Sequence, residues 1–336
     1  MSLKVHIKKD FGSFKLESNF EIEKTTLALL GPSGCGKSMT LKCIAGIVKP
    51  DEGYIELDGK ILFDSKNKIN LTPQQRNVGY LFQDYALFPN MNVAQNILCG
   101  LKKYDKDNKE RRLKELISIF HLEGLENHRI DQLSGGQKQR TALARILASN
   151  PDVLLLDEPF SALDEHLRMG LQLEMKSIIS EFKGEVILVT HNRDEAYLLS
   201  DETTIMSGGN TIETLPTKEL FLNPKTRQAA LITGCKNISS IDKNGNVKDW
   251  GITLNIGDLS DISAVGIRAH SFSQEKKELS FDIEIIDIIE ETFEHLIRFK
   301  FKGGNSIIYW RVSKDKPIDL KQKKIYLDKK DILPLK

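Results

Sequence analysis

The hydrophobic pattern has two textures. Up to about residue 225, short apolar runs alternate with segments whose apolar residues recur at helical spacing. Thr26-Leu27-Ala28-Leu29-Leu30 is a short apolar run followed by a glycine-rich turn, after which Met39, Leu41, Ile44, Ala45 and Val48 follow the 3.6-residue period. Residues 153–156 and 186–189 are further aliphatic runs, each set apart by a helix-length segment. Short buried strands alternating with helices predict a parallel sheet covered on both faces. Pro216 and Pro224 bracket the end of this pattern. After about residue 234 the period changes to two. Residues 281–285 and 296–301 alternate as half-buried strands do, Gly303-Gly304-Asn305 marks a turn, and 306–312 read as the return strand of a hairpin. The pattern predicts an α/β domain over residues 1–230 and a small β-rich domain over 231–336.

Composition narrows the function classes. A length of 336 residues suits two domains, and 40% apolar with 28% charged residues is ordinary for a globular chain. Lys plus Arg total 48 against 47 for Asp plus Glu, so no global charge draws the chain to nucleic acid or anionic lipid. No apolar run approaches the roughly 18 residues of a membrane span, and the first residues carry no apolar signal segment. Cys35, Cys43, Cys99 and Cys235 form no CxxC pair and read as free thiols of a reducing compartment. The expectation is a soluble cytosolic protein whose membrane role, if it has one, comes through a partner.

Gly31-Pro32-Ser33-Gly34-Cys35-Gly36-Lys37-Ser38 matches G-x-x-x-x-G-K-[ST], between an apolar strand and an amphipathic helix. Glycines let consecutive N–H groups curl inward at phosphate oxygens, and the following helix turns its positive end to the same anion. Lys37 would neutralise the β- and γ-phosphates of ATP, and the Ser38 hydroxyl would ligate Mg²⁺. Cys35 lies beside Lys37 and the helix start; both favour a thiolate, so its pKa is expected to be lowered. The loop also needs an acidic partner. Leu154-Leu155-Leu156-Asp157-Glu158-Pro159 supplies Asp157 for Mg²⁺, directly or through water, and Glu158 as general base for the attacking water. Alone, the Asp-Glu pair would read as a helix cap with an acidic first turn.

Leu133-Ser134-Gly135-Gly136-Gln137, ahead of a helical stretch that Ser134 is placed to cap, resembles the signature motif of ATP-binding-cassette (ABC) ATPases. Other family motifs follow in order. Gln83 in Leu81-Phe82-Gln83-Asp84 resembles the Q-loop, Ser161-Ala162-Leu163-Asp164 the D-loop, and His191 after the run 186–190 the switch histidine. The resemblance covers about residues 3–225. It implies a head-to-tail homodimer in which ATP lies between residues 31–38 of one subunit and Ser134, Gly135, Gly136 and Gln137 of the other. It also implies roles for Gln83 as Mg²⁺ and water sensor, for His191 at the γ-phosphate and for Asp164 across the interface. An aromatic near the N-terminus stacks on adenine in this family; Phe11 is the first candidate and Phe14 the second. Met39 stands where the family often has Thr. It follows the metal ligand within the nucleotide segment, so no chemistry should be lost.

One cassette without a membrane span resembles the importer branch. That branch implies separate integral membrane permeases, an extracytoplasmic solute-binding protein acting indirectly, and a peripheral position on the cytoplasmic face of the membrane. The β-rich extension resembles the OB-like, TOBE/Mop-type regulatory domain of importer ATPases for sugars and oxyanions. Val265-Gly266-Ile267-Arg268-Ala269-His270 resembles a recurrent segment of that extension, Thr233-Gly234-Cys235-Lys236-Asn237 resembles the junction segment of molybdate importers, and Phe11-Gly12-Ser13-Phe14-Lys15-Leu16 resembles the same branch. Molybdate, with tungstate alongside, is therefore the first expected solute. Sulfate, sugar, polyamine or iron import is the alternative. A soluble ABC ATPase acting on nucleic acid or ribosomes fits the neutral charge and single cassette less well. A non-catalytic cassette sits badly with intact Lys37, Asp157, Glu158 and His191.

Overall fold

The computed structural model describes residues 2–102, 104–161, 165–319 and 323–336, without the side chains of 165–167. The chain divides into two units, 1–218 and 219–336. Asp164 and most of the D-loop segment lie outside the described residues.

The first unit is built on one eleven-stranded sheet. Its strands are β1 (Ser2–Asp10), β2 (Lys15–Glu23), β3 (Thr26–Leu30), β4 (Glu52–Leu57), β5 (Lys60–Asp64), β6 (Ile69–Asn70), β7 (Val78–Leu81), β8 (Val153–Asp157), β9 (Glu185–Thr190), β10 (Glu202–Ser207) and β11 (Asn210–Pro216). Their spatial order is β6-β5-β4-β1-β2-β11-β10-β3-β9-β8-β7. Strands β10, β3, β9, β8 and β7 run parallel, while β1, β2, β4, β5 and β6 form an antiparallel wing. The burial follows from this division. Every residue of β3, β8 and β9 is buried, as strands covered on both faces require, whereas β2 alternates exposed and buried along its length.

Side-chain alternation splits the parallel strands between two cores. Leu154, Leu156, Val186 and Leu188 join the helices Val93–Leu98, Lys106–Ile119 and Gly135–Ala148 in one core. Val153, Leu155, Ile187 and Val189 face the other, with the helix Lys37–Ile44 and the wing. The Gly135–Ala148 helix starts where the sequence predicts. Ser134 accepts from the Gln137 backbone N–H at 3.3 Å, and the Gln137 side chain accepts from the Ser134 N–H at 2.9 Å, which makes a capping box.

The second unit takes in the short helices Thr217–Leu222, in most of its length, and Arg227–Ile232, so the observed division falls between 218 and 219 where the pattern suggests 230. Arg268 explains the grouping, because its guanidinium donates to the carbonyls of Phe221 and Thr233. The remainder is β-rich. A three-stranded sheet orders Asn237–Ser240, Ala264–Ile267 and Ile332–Leu335; a four-stranded sheet orders Ile308–Ser313, Glu294–Phe301, Leu279–Glu290 and Lys324–Leu327. The hairpin expected around 303–305 is present, closing on Trp310, Phe299 and Phe301 in a core of its own. The resembling segments at 233–237 and 265–270 meet here. The Asn237 side chain donates to the carbonyls of Ile267 and Tyr309 at 3.0 and 2.8 Å and accepts from the Tyr309 N–H at 2.8 Å. Cys235 is fully buried, and burial pushes its thiol up.

Candidate functional site

Strand register assembles the site. Leu30 pairs with Thr190, Asp157 with Val189, and Leu81 with Leu156, so β3, β9, β8 and β7 end at one level. The loops that leave these ends carry residues 31–38, His191, Asp157 with Glu158, and Gln83. Parallel sheets bind ligands at this carboxyl edge.

The phosphate loop is shaped by two tight glycines. A Cβ on Gly31 would meet the Met206 carbonyl oxygen at 2.2 Å. Gly36 has φ +104° and would press on Leu16 at 2.7 Å and Phe14 at 3.0 Å. Lys37 is buried, its Nζ donating to the carbonyls of Gly31 and Pro32 at 2.9 Å each. The Ser38 hydroxyl donates to Asp157 Oδ1 at 2.7 Å, and the Tyr80 hydroxyl donates to Asp157 Oδ2 at 2.7 Å. Burial first, and the adjoining carboxylate second, push the Tyr80 hydroxyl far up, so it stays the donor. Ser38 and Asp157 fit Mg²⁺: both offer hard oxygen ligands, side by side, and Mg²⁺ takes few protein ligands alongside substrate phosphates.

Glu158 sits at φ +45°, its N–H bonded to the Val189 carbonyl at 3.0 Å. That conformation turns its side chain to His191, whose Nδ1 lies 3.3 Å from Glu158 Oε1. Gln83 Nε2 donates to Ser161 Oγ at 3.2 Å, and Ser161 Oγ donates to the Glu158 carbonyl at 2.9 Å. Gln83, Ser161, Glu158 and His191 are thereby linked. The bonds of Ser134 and Gln137 close within their own helix turn.

A 610 Å³ depression beside the loop is lined by Lys8, Lys9, Phe14, Lys15 and Gly208 among others. Phe14 thus borders both the depression and Gly36; the Phe11 ring lies 6.2 Å from it and under Lys9 Nζ at 5.9 Å. Met39 is half-buried and packs against the same core.

Cys35 corrects an expectation. Burial pushes its thiol up, and the attraction of Lys37, whose Nζ is 4.0 Å from the sulfur, only partly offsets this. Adjacency to Lys37 is visible in the sequence; a side chain only 4% exposed is not.

Three supporting groups carry no motif. Tyr80 is one; its register beside Leu155 on β8 brings it to Asp157. Glu195 is another, buried, accepting from Thr190 Oγ1 at 2.5 Å, while Thr190 Oγ1 accepts from the Asn192 N–H at 2.9 Å. This chain brackets His191. The third is Arg145, which donates to the carbonyls of Tyr85 and Ala86 at 3.0 and 2.7 Å and lies 5.2 Å over the Phe88 ring. Tyr85 and Ala86 are both left-handed, at φ 62° and 42°. The last turn of the Gly135–Ala148 helix therefore clasps the loop that follows Gln83.

Known proteins resemble this arrangement. Residues 17–161 match the family model described as "ABC transporter". A molybdate/tungstate import ATP-binding protein of Archaeoglobus fulgidus is 39% identical over 238 residues, spanning 71% of this chain and 96% of that protein. The chain belongs to the ABC transporter ATP-binding family. A spermidine/putrescine import ATP-binding protein of Clostridioides difficile is 43% identical over 223 residues, but the match spans only 62% of its length. An Fe(3+) ions import ATP-binding protein of Pectobacterium atrosepticum is 38% identical over 238 residues, 69% of this chain and 66% of that protein. Among solved structures, an ATP-binding cassette in a dimeric post-hydrolysis state with ADP and Pi is similar with a TM-score of 0.55 and 27% identity, covering 65% of this chain and 99% of that one. The first unit has the ABC ATPase fold, and the β-rich unit follows it. Among the described residues no helix is long and apolar enough to cross a membrane.

Proposed function

We propose that this chain is the ATP-hydrolysing subunit of an importer, working as a head-to-tail homodimer on the cytoplasmic face of the membrane beneath separate permease subunits. The observation that carries the reading is the shared level of four strand ends, which gathers Lys37, Ser38, Gln83, Asp157, Glu158 and His191. The N–H groups of 31–38 and Lys37 hold the phosphates. Ser38 and Asp157 would hold Mg²⁺, with Gln83 near it; the ion supplies charge neutralisation between phosphate oxygens. Glu158 takes the proton of the attacking water, and His191 contacts the γ-phosphate and the Glu158 carboxylate together. Ser134, Gly135, Gly136 and Gln137 of a second copy close on the same phosphates, with Asp164 contributing across the interface. Phe14 or Phe11 stacks on adenine, Phe14 being favoured by its place in the depression.

Replacing Glu158 tests the chemistry. Glu158→Gln should bind ATP normally and lose hydrolysis by a factor on the order of 10²–10⁴. Near-normal turnover would remove Glu158 from the role.

For the solute, we infer an oxyanion, molybdate or tungstate, delivered by an extracytoplasmic binding protein. Support comes from the reach of a relative's alignment. A molybdate/tungstate import ATP-binding protein of Methanocaldococcus jannaschii matches 80% of this chain and 91% of its own length, more than the 218 residues of the first unit, so the match enters the second. The higher identity of the polyamine relative, at 43%, favours the second reading. Uptake by the reconstituted transporter separates them: stimulation by spermidine and not by molybdate or tungstate would overturn the oxyanion assignment and leave the ATPase assignment standing.

A further inference from the structure

Tyr80 belongs to none of the motifs, yet it makes one of the two side-chain bonds to Asp157 described above. The carboxylate is 6% exposed and the tyrosine 9%. An aspartate's terminal torsion is broad and nearly two-fold, so a carboxylate held at one oxygen still turns. Here both oxygens are held. Oδ2 accepts from Tyr80 and Oδ1 accepts from Ser38, each at 2.7 Å. In this bond the Tyr80 hydroxyl donates and the carboxylate oxygen accepts. The ring has its own support: its centroid lies 4.3 Å from that of Phe82, and its strand is paired to β8 through Tyr80 and Leu155. Tyr80 thus aims Oδ1, and not Oδ2, at the hydroxyl of Ser38.

We propose that Tyr80 is a positioning residue for the divalent ion that accompanies ATP, holding Asp157 so that a single oxygen is presented beside Ser38. The proposal rests on Ser38 and Asp157 being the ion's protein partners. Groups that orient a metal ligand commonly tune affinity by roughly 10- to 100-fold, and that is the effect expected here. A hydroxyl that served only to satisfy a buried carboxylate would affect melting and leave metal dependence alone.

The test is Mn²⁺ titration of the full-length protein's ATP complex, followed by electron paramagnetic resonance, with ATP affinity in EDTA measured beside it. Tyr80→Phe keeps the ring and loses the donor. It should bind Mn²⁺ roughly 10- to 100-fold more weakly while ATP affinity in EDTA stays unchanged. Tyr80→Met, of different shape but equally without a donor, should show the same loss, which makes the result independent of how either variant packs. Mn²⁺ affinity equal to wild type in a folded variant overturns the proposal, as does an equal loss of ATP affinity in EDTA. Failure of the underlying reading looks different: Ser38→Ala and Asp157→Ala would then leave Mn²⁺ binding intact in an otherwise native Tyr80 background.

Discussion

Arg145→Ala should loosen the loop after Gln83 by an amount the geometry allows to be worked out. The substitution removes two charge-assisted hydrogen bonds, to the carbonyls of Tyr85 and Ala86, each contributing about 1.5–3 kcal/mol. It also removes the contact over Phe88, which contributes about 0.5–1 kcal/mol at a half-exposed site. Against this, Tyr85 and Ala86 are freed to leave left-handed backbone, which recovers about 1–2 kcal/mol each. The net loss is then about 1.5–3 kcal/mol, a drop of roughly 3–12 °C in the melting of the ATPase unit. The clasp makes a sharper prediction than the loss itself. In the wild type, Ala86→Gly should stabilise, because Arg145 imposes a conformation that glycine adopts without strain. In Arg145→Ala the loop has already relaxed, and the same glycine should only cost. Urea denaturation of the four proteins, followed by circular dichroism, reads the coupling, expected near 1 kcal/mol. Additivity within about 0.5 kcal/mol would mean that Arg145 does not hold the left-handed pair, and the reasoning would be refuted.

Three further outcomes are expected. Burial pushes the Cys43 thiol up to about 12 and also raises Cys35, so iodoacetamide near pH 8 should label the half-buried Cys99 first, read by peptide mass spectrometry; faster labelling of Cys35 would mean that Lys37 and the helix start dominate after all. Burial holds the Glu195 carboxyl above its ordinary 4.5, so its contribution to stability is full below that value and is lost as pH rises through the raised one. Glu195→Gln should accordingly flatten the fall in melting temperature from acid to neutral pH, and an unaltered slope would contradict the assignment. Asn237→Ala strips three hydrogen bonds to the backbone of the second unit and should cost it about 2–4 kcal/mol while ATP binding by the first unit is unchanged, as paired calorimetry and nucleotide titration would show.

The readable parts of the site are those whose chemistry is contiguous. Residues 31–38 announce a phosphate cradle because glycine, lysine and serine must stand at fixed offsets, and the flanking strand and helix obey simple periods. Ser134 shows its cap for the same reason. The 303–305 turn is legible because period-two strands flank it. Tyr80, Arg145 and the Thr190–Glu195 pair stayed hidden, since each acts on a residue brought to it by strand register or helix packing; Tyr80 lies 77 positions from Asp157. Cys35 misled because a neighbour's charge can be read from sequence and the loss of water around a thiol cannot. The bond from Arg268 to the Phe221 carbonyl, which ties a helical segment to the β-rich unit, spans 47 positions and was hidden as Tyr80 was.

The place of β3 in the sheet bears on how the protein is made. Both of its neighbours, β9 and β10, come from residues 185–207, about 170 positions after the strand leaves the ribosome. At about 5–20 residues per second, the nascent chain carries this largely apolar strand without its lateral partners for roughly 10–30 s. The loop of residues 31–38 is anchored at the end of that strand, so it cannot take its final form until translation has passed β10. During that interval an unpaired apolar strand awaits its partners, a natural client for a holding chaperone, and any ribosomal pause between residues 31 and 184 lengthens the exposure. Synonymous codon choice in the helical segment between β7 and β8 is therefore expected to alter the yield of folded protein without changing a single side chain of the site, which expression of recoded genes would measure.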